Sequence, residues 1–297
     1  LGDGTYSTRS FPVQIGNLTN WSGVDITSNS SFARNTSGKL YSTSLGMIYG
    51  KSSPIQITNS TDWNSFSAGF YTAYGIKTNG TLWAWGSNGY GEIGDSTTIN
   101  RGSPVQIGTH SNWSKVSAGN SFTMAIKTDG TLWGWGDNQY GQLGNTTTIR
   151  RSSPVQVGVD SNWSQVSASY YNTAAIKTNG TLWVWGENGQ GQVGNSTYSY
   201  YSSPVQIGTL SNWSQVSGGL AYHMAIKTDG TLWGWGLNSQ AQLGLQSATI
   251  SPVQVGTDTN WSKVAAGYHH TIALKTDKTL WVWGSNNINS SKHLGLF

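Results

Sequence analysis

Residues 104–144 read PVQIGTHSNWSKVSAGNSFTMAIKTDGTLWGWGDNQYGQLG, and the punctuation of this stretch decides the fold. Pro104 opens a short extended run at 105–107. Residues 113–117 form a second run that ends in Ala118-Gly119, and 123–127 form a third. Thr128-Asp129-Gly130 is a tight hairpin turn of the Asp-Gly kind, after which 131–135 return as a fourth strand. Four short strands in about forty residues make up one blade of a β-propeller.

The stretch recurs along the chain. A Pro-Val-Gln type element sits at Pro12, Pro54, Pro104, Pro154, Pro204 and Pro252, and an Asn/Asp-Trp element at Trp21, Trp63, Trp113, Trp163, Trp213 and Trp261. A third element begins at Leu40, Leu82, Leu132, Leu182, Leu232 and Leu280. Successive prolines are 42, 50, 50, 50 and 48 residues apart, a propeller or solenoid period. The reading is a single all-β domain over residues 1–297, a six-bladed β-propeller of about fifty residues per blade. The first repeat is degenerate: Leu40-Tyr41-Ser42 replaces Leu-Trp-x-Trp-Gly, which predicts a thin or irregular blade. The N-terminal strand at 11–16 is expected to complete the last blade beside strands between 262 and 283 and so close the ring.

All 16 tryptophans fall in repeat columns, six in the Asn/Asp-Trp element and ten in Trp-x-Trp pairs such as Trp133 and Trp135. Residues two apart on a strand share a face, so each pair lays two indoles on one side of a blade. Recurrence in a burial register reads as core packing rather than an aromatic cage.

Composition narrows the function. Charged residues are 9% of the chain and the formal charge is +4, with 16 Lys and Arg scattered rather than clustered, which argues against nucleic-acid binding. No apolar run is long enough for a membrane helix. The absence of cysteine excludes disulfides and thiolate chemistry. Asn-Trp-Ser sequons at Asn20, Asn112, Asn162, Asn212 and Asn260 point toward an extracellular or cell-surface location.

Val116-Ser117-Ala118-Gly119, Thr123-Met124-Ala125-Ile126, Asp129-Gly130, Leu132-Trp133, Trp135-Gly136, Asn138 and Tyr140-Gly141-Gln142-Leu143-Gly144 together resemble the regulator of chromosome condensation repeat, across nearly the whole chain. The resemblance implies a propeller closed by strands from both termini. The nucleotide-exchange activity of the family's eukaryotic founder has no residue-level counterpart here. Family repeats place a His before the Thr-x-Ala-Leu strand, and only His270 clearly keeps it. The uniform, low-charge repeats look closer to the family's secreted bacterial members, which bind or inhibit partner proteins.

Candidate site residues come from where the copies disagree. The loop after the Ser-Ala-Gly step reads Ser28-Asn29-Ser30, Phe70-Tyr71-Thr72, Asn120-Ser121-Phe122, Tyr170-Tyr171-Asn172, Leu220-Ala221-Tyr222 and Tyr268-His269-His270. Small residues before it suit strands crowded around an axis, so these loops are expected to ring the channel mouth. Phe70, Tyr71, Phe122, Tyr170, Tyr171, Tyr222, Tyr268, His269 and His270 are the ligand-binding candidates, aromatics with polar tips being common in protein and glycan sites. Plugging the channel is the alternative use of the same side chains. A second variable region, at 97–101, 147–151 and 198–201, offers Arg and Tyr for subunit contacts, solvated loop being its default reading.

No catalytic constellation, metal set or cofactor motif stands out. The acidic residues fall at turns, and the adjacent His269 and His270 point to opposite faces of an extended segment. The expected function is a non-catalytic interaction module for a protein or glycan partner. The alternative is a self-assembling structural subunit of a filament or surface layer, with a homopolymer as its partner.

Overall fold

Gly130 closes the hairpin that the Asp-Gly pair predicts. Its φ of +78° is left-handed, its amide donates to the Lys127 carbonyl at 2.9 Å, and such a conformation disfavours any side chain. A Cβ there would lie 2.2 Å from the Ser161 carbonyl oxygen of the next unit, so the turn also sets how closely neighbouring units approach.

The computed structural model describes residues 13–15, 17–26, 31–43 and 53–285. Among them it holds strands and no helix, arranged as six antiparallel sheets in a β-propeller. The blades cover 21–56, 63–106, 113–156, 163–206, 213–254 and 261–284. In the third blade the strands from axis to rim are Trp113–Ala118, Phe122–Lys127, Leu132–Gly136 and Arg151–Gln156. Each Pro-Val strand is therefore the rim of the blade before it, and the blade is offset by one strand from the sequence unit that starts at proline. The first blade is thin, its last two strands being Leu40–Ser42 and Ile55–Gln56.

The indoles face the preceding blade. Trp113, Ala125 and Trp135 of the third blade join Tyr74, Ile76, Leu82, Ala84, Ile93 and Ile107 of the second in one core cluster, and equivalent clusters fill the other described seams. Trp135 is fully buried while Trp133 is half-buried. Trp135 Nε1 donates to the Glu92 carbonyl of the preceding blade at 2.8 Å, and Trp185, Trp235 and Trp283 repeat this bond on Gln142, Gln192 and Gln242.

A second stitch runs round the axis. The hydroxyls of Ser67, Ser117, Ser167 and Ser217 accept the backbone N–H of Ala118, Ala168, Gly218 and Ala266 on the following blade at 2.9–3.3 Å. Each bond joins strands of different sheets, so Ser117→Ala is expected to lower stability by about 1 kcal/mol, measurable by urea denaturation.

The sixth sheet has three strands among the described residues, Trp261–Ala266, His270–Lys275 and Leu280–Gly284. Of the expected closing strand, residues 11, 12 and 16 lie outside the described residues, while Val13, Gln14 and Ile15 carry no strand pairing. The seam from the sixth blade to the first also departs from the repeat. Thr43 stands where the second blade has Trp85, and Ala265 stands where the fifth has Ser217. Leu280 and Val282 are 63% and 68% exposed, whereas Leu132 is fully buried.

Candidate binding face at the channel mouth

Chain direction fixes what lies at each end of the propeller. Inner strands run toward the Ala-Gly step, second strands run away from it and third strands return. The loops after inner strands and those after third strands therefore share one face. Asp137 N donates to the Ser121 carbonyl at 2.8 Å and joins the two loops of one blade. The two variable regions of the sequence, read separately, are thus neighbours.

Close approach at the mouth requires the small residues. A Cβ on Gly119 would lie 2.3 Å from the Phe122 ring and 2.7 Å from the Ser169 carbonyl oxygen. Below the mouth lies an axial cavity of about 480 Å³, lined by Ser117, Ala118, Ala168, Ser217, Phe70 and Tyr170 among others.

The first loop residue is aromatic in the second, fourth and sixth blades, as Phe70, Tyr170 and Tyr268, and is Asn120 or Leu220 between them. Tyr170 touches both of the others, edge to face, with ring centroids 6.0 Å from Phe70 and 5.7 Å from Tyr268. Alternate blades thus supply three rings where bulky side chains from every blade would crowd. The run continues outward from Tyr170 to Tyr171 at 4.4 Å, Tyr140 at 5.0 Å and Tyr200 at 5.5 Å. At its other ends Tyr71 lies against Phe70 at 4.8 Å and His269 against Tyr268 at 4.7 Å.

Of the nine candidates, Phe70, Tyr71, Tyr170, Tyr171, Tyr268 and His269 share this face. Tyr71 is 58% exposed. Phe122, Tyr222 and His270 do not share it. The third loop position is the first residue of the second strand, and its side chain turns inward, leaving the three buried. Tyr222 donates its hydroxyl to the His270 carbonyl at 2.5 Å, and burial holds its pKa well above the usual phenol range. These three serve packing, so the loop's variation reports two roles rather than one.

Tyr90 and Tyr140, which the sequence reading did not single out, belong to the face, as do Arg150 and Tyr200 of the second variable region. The Arg150 guanidinium lies 4.4 Å over the Tyr90 ring and its Nε donates to Asp137 Oδ1 at 2.9 Å. Asn138 shapes the loop that carries Tyr140: its Nδ2 donates to the Thr147 and Ile149 carbonyls, and its Oδ1 accepts from Leu143 N. Chemically the face stacks and hydrogen-bonds. Burial raises the Tyr170 and Tyr171 pKa values and lowers that of His269, so these groups are neutral donors and acceptors at pH 7.

One buried pair lies at the cavity wall. His223 Nδ1 donates to the Gln192 carbonyl at 2.9 Å, which leaves Nε2 to accept the Ser169 hydroxyl at 3.1 Å. Burial pushes the His223 pKa down to about 4, a weak base for activating a hydroxyl. No group of three or more metal-ligating side chains occurs among the described residues.

The model of the regulator of chromosome condensation (RCC1) repeat matches residues 79–126, 129–176, 179–226 and 229–274, and a second model of the same repeat matches 63–92, 113–142 and 163–192. The chain belongs to the RCC1 repeat family. Each long match starts at a blade's hairpin turn and ends in the second strand of the next blade, so the RCC1 unit bridges the seam that the indoles fill. No curated protein matches the chain. Among solved structures, it is similar to yeast RCC1 (Prp20), solved with Kap60 bound, at 17% identity over 89% of this chain and 70% of that one, with a TM-score of 0.80. Human WBSCR16 is similar at 20% identity over 82% and 68%, with a TM-score of 0.70. The CRINKLY WD40 ectodomain of the Arabidopsis thaliana receptor kinase ACR4 is similar at 18% over 90% and 82%, with a TM-score of 0.55. At these identities the likeness concerns the RCC1-type fold.

The Asn-Trp-Ser motif of the RCC1 units here serves that fold. The side-chain oxygens of Asn112, Asn162 and Asn212 are buried, and Ser114, Ser164 and Ser214 donate their hydroxyls to second-strand carbonyls at 2.9 Å.

Proposed function

We propose that this RCC1-repeat propeller is a non-catalytic interaction module, outside the cell or on its surface, that binds a protein or glycan through the aromatic face at the channel mouth. The continuous run from Tyr71 through Phe70, Tyr170, Tyr171 and Tyr140 to Tyr200 carries this reading. Its rings pack edge to face at its centre and are exposed at both ends, the arrangement of an anchor patch for a partner. Yeast RCC1 (Prp20) solved with Kap60 bound to it supports a protein partner, and the ACR4 ectodomain supports a place outside the cell.

A second reading, self-assembly into a filament or surface layer, is favoured by the exposed Leu280 and Val282 on the last blade. A neighbouring copy could cover them. Negative-stain electron microscopy separates the two: discrete rings support the module, and filaments support the polymer. For the face itself, a photo-crosslinking amino acid at Tyr71 is expected to capture partner or glycan. The same probe at Val159, 93% exposed on the opposite face, is expected to capture none. Equal capture at both positions would remove the aromatic face from the account.

A further inference from the structure

The opposite face carries a second recurring feature. The last residue of the second strand is lysine in five blades, at Lys77, Lys127, Lys177, Lys227 and Lys275, and each ammonium lies over two indoles of its own blade. In three blades the segment leading into the Asn/Asp-Trp element, or its own Asp, supplies an oxygen. Asp160 meets Lys177 at 2.8 Å, Asp258 meets Lys275 at 2.7 Å, and Ser60 with Asp62 meets Lys77 at 3.0 and 3.3 Å. The third and fifth blades carry His110 and Leu210 in the column of Ser60, Asp160 and Asp258.

Lys127 and Lys227 are 4% and 6% exposed, and among the described residues no side-chain oxygen lies within bonding distance of either ammonium. Both press closer to an indole face instead, 3.8 Å from the Trp133 centroid and 3.4 Å from that of Trp233. A cation over an aromatic face is attracted to it, and the ammonium N–H donors remain available to an acceptor from outside the chain. The outer wall of each slot, Trp133 or Trp233, is half-buried, and His110 and Leu210 at its rim are exposed.

We propose that Lys127 and Lys227 are carboxylate-binding sites, in which an external carboxylate takes the place that Asp160 and Asp258 fill from within the chain. The sister blades are the template, since they show a carboxylate oxygen at 2.7–2.8 Å from the same ammonium in the same indole frame. Burial lowers the pKa of both free ammonium groups, with Asp129 and Asp229 partly opposing it. A bound anion would reverse that shift.

The test is NMR of the full chain labelled with carbon-13 at the lysine ε position, titrated with sodium acetate against sodium chloride at equal ionic strength. Saturable shifts are expected at Lys127 and Lys227, with responses smaller by about tenfold at Lys177 and Lys275. His110→Asp and Leu210→Asp, both at exposed positions, place the carboxylate in the chain and should abolish the acetate response of Lys127 and Lys227 respectively. An octaglutamate peptide forms the second arm. Displacement of acetate at peptide concentrations about tenfold lower identifies an acidic segment of a partner chain as the source, and equal potency per carboxylate identifies small free carboxylates. No saturable shift at either lysine, or equal shifts at all five, would overturn the proposal.

Discussion

Trp135→Ala is expected to destabilise the propeller by about 3 to 5 kcal/mol, the range for removing a large aromatic from a packed interior. Trp135 is fully buried, contributes to the cluster between the second and third blades and donates to the Glu92 carbonyl at 2.8 Å. Its loss opens a cavity at a seam and leaves a buried acceptor without that donor. The Tyr74 hydroxyl and Thr123 Oγ1 also donate to the Glu92 carbonyl, at 2.6 and 3.2 Å, and offset part of the second effect. Trp133→Ala should have a smaller effect, about 2 kcal/mol, because its indole is half-buried. Urea denaturation of the two variants checks the order. A loss below about 1 kcal/mol at Trp135, or a larger loss at Trp133, would show that the indole face is not the seam.

The second large effect depends on pH. His223 has a folded pKa near 4 against about 6.5 when unfolded. Between these values the unfolded chain carries a proton that the folded one refuses. Stability from this group is therefore complete above about pH 6.5, falls as the pH drops, and by pH 4 is lower by about 3 kcal/mol. Glu92 and Glu187, whose pKa values burial raises, push in the opposite direction at acid pH, so a comparison of two chains isolates the histidine. His223→Thr installs the residue that the third, fourth and sixth blades use, where Thr123, Thr173 and Thr271 bond the preceding carbonyl at 2.7–3.2 Å. Its stability should decline less between pH 7 and pH 4.5 than that of the natural chain. Parallel curves would place the titration elsewhere.

The fold was legible because it is written six times. Proline spacing, the Asp-Gly turn and the Trp-x-Trp register each encode a local preference that the structure keeps, whereas the phase of the blade against the repeat escaped, and the expected pairing of the N-terminal strand with the last blade is not found at Val13, Gln14 and Ile15, since pairing across long separations leaves no local mark. The site was legible in part. Variation between copies marked the loop after the inner strand, yet it could not separate Tyr71, exposed at 58%, from Phe122, buried at 1%. Strand alternation turns the third loop residue inward, and that boundary is a property of the sheet. Tyr140 was missed, and the second variable region was read apart from the first, because the contacts of Tyr140 with Tyr171 and Tyr200 join segments distant in sequence. The clue lay in the alternation of aromatic and non-aromatic residues on successive blades, a two-blade period hidden beneath the one-blade repeat.

The central claim is that the aromatic face binds the partner, and simultaneous replacement of Tyr71, Tyr170, Tyr171 and Tyr268 by Ala tests it most directly. Tyr222 is left intact, because its buried hydroxyl and ring hold the fifth and sixth blades together. Affinity is measured by titration calorimetry against the protein or glycan captured at Tyr71, alongside circular dichroism. The account predicts a native spectrum with affinity reduced by about a hundredfold or more, since aromatic anchors dominate interface energies. A native spectrum with undiminished affinity would contradict it.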